Sequence, residues 1–224
     1  MNISTVMILA AGLGKRMGHY TKKNPKPLIK IGNETLIENT IKKLENNKFN
    51  KIVINIFYLK DKIKKKLKNK FKTKIVFSEE KTLLNTGGGI KNALNFLKRK
   101  EFFVINSDII WEDKRNPFSQ LKKFWNSKKM DALLLLYPKK KGKGDYNISK
   151  SHNIIVNNNP KYIFTGIQIV KSKLFANTKK KIFPLSFIYE KLIIKKKIYG
   201  LVYKGTWKHI GTLETLKEYK KVVK

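Results

Sequence analysis

A chain of 224 residues is long enough for one well-buried α/β domain and short for two. Its formal charge of +36 favours anionic partners, yet all but three of the 51 basic residues are lysines, spread along the chain with abundant Asn and Ile; this pattern matches general compositional drift, and no RNA-binding signature of interleaved stacking aromatics is present. Cysteine is absent, which excludes disulfides and thiolate metal sites, and neither a leader-like N-terminus nor an apolar run of about 18 residues occurs, so a cytoplasmic chain with no membrane partner is expected.

The first apolar run, STVMILA (4–10), is β-like and ends at Ala11-Gly12, where a central parallel strand would pass into a loop. That loop runs to about residue 32 through Pro25 and Pro27. In NETLIENTIKKL, residues Leu36, Ile37, Thr40, Ile41 and Leu44 share one helical stripe, with Asn33 as the expected N-cap. KIVINIF (51–57) reads as a buried strand, LKDKIKKKLKNKF as a basic amphipathic helix and KIVFSE (74–79) as another strand. TGGGIKNALNFLK reads as a glycine turn opening a helix, and FFVINSD (102–108) as a strand ending in a carboxylate. Strand and helix alternating through the first half predict an α/β, doubly wound, Rossmann-like fold with a mostly parallel sheet. The second half is less regular. It holds a helix near 117–128, the strand DALLLLY (131–137), a lysine-rich loop PKKKGKGDY, and the segments NIIVNNN and YIFTGIQIV (162–170), which are expected to pair antiparallel. A helix LSFIYEKLIIKK, a strand YGLVYKG and a terminal helix TLETLKEYKKVVK complete it; with no repeat or linker, residues 1–224 are read as a single domain.

The stretch ILAAGLGKRM (8–17) places two glycines beside Lys15 and Arg16. A P-loop, G-x-x-x-x-G-K-[ST], fails here: Gly14-Lys15 stands too close to Gly12 and leads into Arg16, with no hydroxyl for magnesium. A dinucleotide motif, G-x-G-x-x-G, fails at Met17 and at the extended HYTKKNPKPL that follows. What remains is a glycine-rich backbone able to wrap phosphate oxygens and a guanidinium that binds two of them in a fixed fork; a tight turn with two solvated cations is the other reading of the loop taken alone. Asp108 either sits at the carboxyl edge of the sheet, where ligands bind in open α/β folds, or caps a turn.

The string L-A-A-G-x-G-x-R-M (Leu9–Met17), followed by Lys26-Pro27-Leu28, resembles the signature of the sugar-1-phosphate nucleotidyltransferases. The resemblance continues through LLNTGGGIKNAL (83–94), FFVINSDIIW (102–111), GKGDY (142–146), YIFTGIQIV and GTWKHIGTLETL (205–216), covering essentially the whole chain. It implies a nucleotide-binding half over about 1–110 and a sugar-binding half, with a small antiparallel β addition, over about 111–224. The L-x-T-G-G-G-I-x-x-A-L block and G-x-G-D-[FY] look most like the N-acetylmuramate-1-phosphate uridylyltransferase branch. That implies UTP and N-acetylmuramic acid 1-phosphate as substrates, Mg2+ as cofactor and a role in cell-wall sugar recycling. Mannose-1-phosphate guanylyl, glucose-1-phosphate thymidylyl and phosphocholine cytidylyl transfer are the alternatives within the fold. A basic nucleic-acid-binding protein that has lost catalysis is the alternative from another class.

The reaction implied is in-line attack of a sugar phosphate oxygen on the α-phosphorus, with pyrophosphate leaving and no covalent enzyme intermediate; it asks for charge neutralisation and alignment rather than proton transfer. The resemblance makes Arg16, Lys26 and Asp108 the catalytic set, with Asp108 holding the metal. It assigns Leu9, Ala10, Ala11, Gly12, Gly14, Lys15 and Ser107 to the nucleotide, and Asn85, Thr86, Gly87 and Gly88 to its base. Asp145, Thr165 and Gly166 fall on the sugar side, where Asp145 serves equally as a turn cap. Three positions depart from the pattern. Asn85 stands where relatives often have Glu, Ser107 where they have Gly, and His209 where many place a second metal-binding Asp in W-x-D-x-G-T. His209 is therefore expected near the metal or phosphate: coordinating a softer ion, donating to a phosphate, or leaving Asp108 with water ligands.

Overall fold

The computed structural model describes residues 3–111, 116–140 and 142–222; Asp113, Arg115 and Lys141 lie outside the described residues. A seven-stranded sheet organises the chain: β1 (Thr5–Leu9), β2 (Lys51–Ile56), β3 (Lys74–Glu79), β4 (Glu101–Asn106), β5 (Ala132–Pro138), β6 (Tyr162–Lys171) and β7 (Ile198–Val202). Their spatial order is β7-β5-β6-β4-β1-β2-β3. Neighbours are parallel except where β6 runs against β4 and β5, so the sheet is the mostly parallel one expected. The main helices are α1 (Leu36–Asn46), α2 (Lys60–Leu67), α3 (Asn85–Leu97), α4 (Pro117–Phe124), α5 (Ser186–Ile194) and α6 (Leu213–Val222).

Alternation along the strands splits the core in two, one half on each face. Val6 and Ile8 of β1 pack with Ile37 and Ile41 of α1, Ile63 of α2 and Phe118 of α4. Met7 points the other way, to Ile90 and Ala93 of α3 and Ile188 and Leu192 of α5. A third cluster, with Met17, Ile29, Leu36, Ile210 and Leu216, seats the glycine loop and the segment after it on the C-terminal helix. Among the described residues no helix is long and apolar enough to cross a membrane.

Several local expectations are corrected. Helix α1 is capped by Thr35, not Asn33: the Thr35 hydroxyl accepts from Glu38 N, and the Glu38 carboxylate accepts from Thr35 N at 2.8 Å, forming a capping box. Asn33 belongs instead to the turn between the short strands Lys30–Ile31 and Glu34–Thr35. NIIVNNN does not pair with β6; its Ile154–Ile155 pairs with Asn147–Ile148. The reason is burial on both faces. Ile167 and Ile169 enter one core half and Val170 the other, so β6 needs the long flanking strands β4 and β5. Helix α4 stops at Phe124, short of the expected residue 128. Finally, the glycines of TGGG lie within the first turns of α3, which begins at Asn85, rather than in a turn before it.

Candidate active site

Strand β1 lies between β4 and β2, the place where the chain changes direction across the sheet, and ligands in open α/β folds bind at the carboxyl ends of strands there. A cleft of about 430 Å³ opens at that edge. The end of β1 and the loop after it supply Leu9, Ala10, Ala11, Gly12, Gly14, Lys15 and Arg16 to its lining, and Lys26, Ser107 and Asp108 complete this wall. Asn85 and Thr86 line it from the entry of α3. Twelve of the sequence-derived positions thus meet in one cavity.

Gly14 explains how the two parts of the signature come to touch. Its φ of +67° suits glycine, and a Cβ there would stand 2.9 Å from Thr21 Cγ2 and 3.0 Å from Lys26 Cβ. The Gly14 carbonyl accepts from Met17 N at 2.9 Å and from the Thr21 hydroxyl at 3.1 Å, and fully buried Met17 anchors the far end. The loop is therefore bound to the segment that carries Lys26, while Lys15 and Arg16 stay exposed.

Asp108 follows β4 with its side chain 18% exposed. The Lys26 ammonium pairs with its Oδ2, and His209 Nε2 lies 3.1 Å from the same oxygen. Burial pushes the Asp108 carboxyl up, but the His209 hydrogen bond and the Lys26 charge outweigh it and hold the group well below the ordinary carboxylate range. His209 is delivered by Trp207–His209, which pairs antiparallel with Ile109–Trp111 and sets His209 opposite Ile109. Its ring stacks on Trp207 at 14°, and a Cβ on Gly211 would come within 2.6 Å of it.

The glycines of α3 have a different task from the one expected. The amides of Gly87 and Gly88 donate to Phe183 O at 2.9 and 3.0 Å. A Cβ on Gly87 would strike the Phe183 ring, and one on Gly88 would meet Lys181 O at 2.3 Å. These two glycines admit a protein strap over residues 181–185, and neither lines the cleft. The Thr86 hydroxyl accepts from Leu185 N at 2.8 Å and secures the same strap, while Asn85, at φ 65°, accepts from Thr86 N with its own side chain.

The sugar-side residues also stand outside this cleft. Asp145 Oδ2 accepts at 2.8 Å from Phe164 N, a residue of β6, so its observed bond joins two segments and is not a turn cap. Thr165 is fully buried; its hydroxyl donates to Leu135 O and accepts from Ile167 N, bracing a bulge in β6. Gly166, at φ +85°, lets Asn106 pack where a Cβ would stand 2.7 Å from its amide nitrogen.

Sequence reasoning missed Asn55, Glu80 and Asn106, all of which line the cleft. A polar residue at the end of an apolar strand was the signal that singled out Asp108, and the same signal marks these three. For a metal, no group of three or more acidic, His or Cys side chains gathers among the described residues. The Asp108 carboxylate is a donor of the kind a hard dication takes, and it would hold such an ion in this cleft.

Residues 5–146 match the family model described as Nucleotidyl transferase, and the chain belongs to that family of catalytic nucleotidyltransferases. It is 28% identical over 219 residues to the N-acetylmuramate alpha-1-phosphate uridylyltransferase of Caulobacter vibrioides, a match spanning 92% of this chain and 90% of that protein. It is 31% identical over 221 residues to the bifunctional protein GlmU of Methanococcus maripaludis, where 92% of this chain corresponds to 51% of the relative. The solved structure of HddC from Yersinia pseudotuberculosis complexed with GMP-PN has the same fold, with a TM-score of 0.83 at 23% identity, 99% of this chain and 100% of that one being covered.

Proposed function

We propose that the protein transfers a uridylyl group from UTP to N-acetylmuramic acid 1-phosphate, releasing pyrophosphate, as a step in the recycling of cell-wall sugar. The observation that carries this reading is the meeting of Arg16, Lys26 and Asp108 in one cleft at the switch point of the sheet. The similarity to the Caulobacter vibrioides uridylyltransferase over nine-tenths of both chains supports the choice of substrates.

In the proposed reaction a phosphate oxygen of the sugar forms a bond to the α-phosphorus, and the bond from that phosphorus to its bridging oxygen breaks. The electron pair leaves with pyrophosphate. A phosphate monoester is already anionic at neutral pH, so no proton has to be removed by the protein. Arg16, exposed at the cleft mouth, would hold the departing phosphates with its planar fork. Lys26 is only 8% exposed and would face the α-phosphate and the attacking oxygen as a fixed positive charge. Its contact with Asp108 holds the ammonium in the cleft before nucleotide arrives. Asp108 would anchor Mg2+, which when bound neutralises phosphate charge. His209, a poor magnesium ligand, would restrain the Asp108 carboxylate through Oδ2 rather than coordinate the ion.

The test is pyrophosphate release with UTP, Mg2+ and N-acetylmuramic acid 1-phosphate, run beside GTP, dTTP and CTP and beside mannose 1-phosphate, glucose 1-phosphate and phosphocholine. Release with the first pair at least tenfold above every other supports the reading. A different preferred pair overturns the substrates, and release with none overturns the reaction.

A further inference from the structure

Asn55 and Glu80 are buried to 3% and 4% exposure at the end of β2 and just after β3, yet neither has a part in the phosphate chemistry described above. Asn55 Oδ1 accepts from Ala10 N at 2.9 Å. Asn55 Nδ2 donates to Glu80 Oε1 at 2.7 Å, and Glu80 Oε2 accepts from Leu84 N at 3.0 Å. One unbroken chain of hydrogen bonds thus runs from the first residue of the phosphate loop to the entry of α3, which are the two walls of the cleft. We propose that Asn55 and Glu80 are a positioning clamp that sets the separation of these walls, and with it the fit of the nucleotide.

Three features favour a clamp over ordinary structural support. First, it grips backbone amides, so it fixes the walls themselves and leaves their side chains free for ligand. Second, the outer partners are the backbone amides of Ala10 and Leu84, which an apolar pair could not satisfy, and a satisfied polar pair adds a defined geometry between the segments. Third, Gly89 is fitted to it. A Cβ at that position would stand 2.7 Å from both Asn55 Nδ2 and Glu80 Oε1, so the last glycine of the run leaves room for the pair. The inference rests on reading the cleft as the nucleotide site.

The pattern of donors and acceptors allows a swap experiment. Asn55→Asp sets two carboxylates against each other, and Glu80→Gln leaves too few acceptors for the two donors it meets. In the double variant Asn55→Asp/Glu80→Gln every bond is restored: the carboxylate at 55 accepts from Ala10 N and from the amide at 80, whose oxygen accepts from Leu84 N. Amide hydrogen exchange of the nucleotide-free protein reads the clamp directly. Each single variant should exchange roughly tenfold faster over both 10–16 and 83–86, and the double variant should return toward wild type. The KM for UTP should rise about tenfold in the singles, more than kcat falls, and recover in the double. Exchange that changes only beside the substituted residue, or a double variant no better than the singles, overturns the clamp. Exchange that is rescued while KM is not means that the Glu80 carboxylate touches nucleotide itself, which overturns a role confined to positioning. Wild-type protein that releases no pyrophosphate with any pair overturns the reaction instead, and the exchange result stands apart from it.

Discussion

Gly12 and Gly14 stand two residues apart in one loop but should fail differently when each is replaced by alanine. At Gly14 the φ of +67° lies in the left-handed region, which costs a residue with a side chain about 1 kcal/mol. The new methyl would also press on Thr21 Cγ2 at 2.9 Å and Lys26 Cβ at 3.0 Å. Thr21 cannot easily yield, because it is 5% exposed and its hydroxyl donates to both Gly14 O and Gly18 O. Overpacking of that kind adds about 1 kcal/mol or more. Gly14→Ala should therefore lose about 2 kcal/mol, which lowers Tm by about 4–8 °C in a chain of this size. Gly12 has nothing within 4 Å of its would-be Cβ, so Gly12→Ala should melt within about 1 °C of wild type. Its methyl would project from a residue that lines the cleft, and UTP affinity should drop while Tm holds. Scanning calorimetry, paired with calorimetric titration of UTP, separates the two. A Gly14→Ala protein with wild-type Tm would mean that the loop is not docked on the Lys26 segment. A Gly12→Ala protein that binds UTP normally would mean that phosphate does not approach the backbone there.

Arg16→Ala should leave Tm within about 1 °C, since the side chain is exposed, and should slow pyrophosphate release by about 100-fold or more in steady-state assays; full turnover refutes its role. Glu38 gives a pH dependence of stability. Burial pushes its carboxyl up, but Lys70 and the Thr35 hydrogen bonds prevail and hold it down to about 2, against an ordinary 4.5. A depressed pKa contributes stability above the unfolded value and loses it as pH falls toward the folded one, so up to about 3 kcal/mol should disappear between pH 4.5 and 2. In urea titrations at stepped pH, Glu38→Gln should flatten that fall, and equal slopes in both proteins would contradict it. His209→Asp should place a second carboxylate near Asp108 and tighten Mn2+ binding at least tenfold by paramagnetic titration; an unchanged Kd would show that His209 is not close to the ion.

The fold was legible because its central strands are buried on both faces and so appear as continuous apolar runs. The loop and Lys26 were legible through the resemblance carried by L-A-A-G-x-G-x-R-M and K-P-L, and Asp108 also as a carboxylate closing an apolar strand. The helix cap was misplaced because Asn33 and Thr35 are both good capping residues; the hairpin turn at Gly32, with φ +70°, takes Asn33 and leaves Thr35 to meet Glu38. Thr165 and Asp145 were illegible as structural residues because their partners, Leu135 and Phe164, are set by strand pairing that local sequence does not encode. Asn55 and Glu80 belong to no motif; each is a polar residue where an apolar strand ends, and that they bond to one another emerges only when β1, β2 and β3 lie side by side.

The run Gly87-Gly88-Gly89 shows what such a pattern does and does not say. A glycine reports that something comes close to the backbone, but not whether it is ligand or protein. Here each has its own protein neighbour: the Phe183 ring, the Lys181 carbonyl, and the Asn55–Glu80 pair. Two of them admit the strap that caps α3, and the third admits the clamp. Phe183 O takes the amides of Gly87 and Gly88 in the first turn of α3, while Gly12, Gly14 and Arg16 line the opposite wall of the cleft. The groups of the α3 wall that face the cleft are Leu83, Asn85 and Thr86. Base selectivity in this chain should therefore respond to the strap and clamp that hold that wall as well as to the side chains on it.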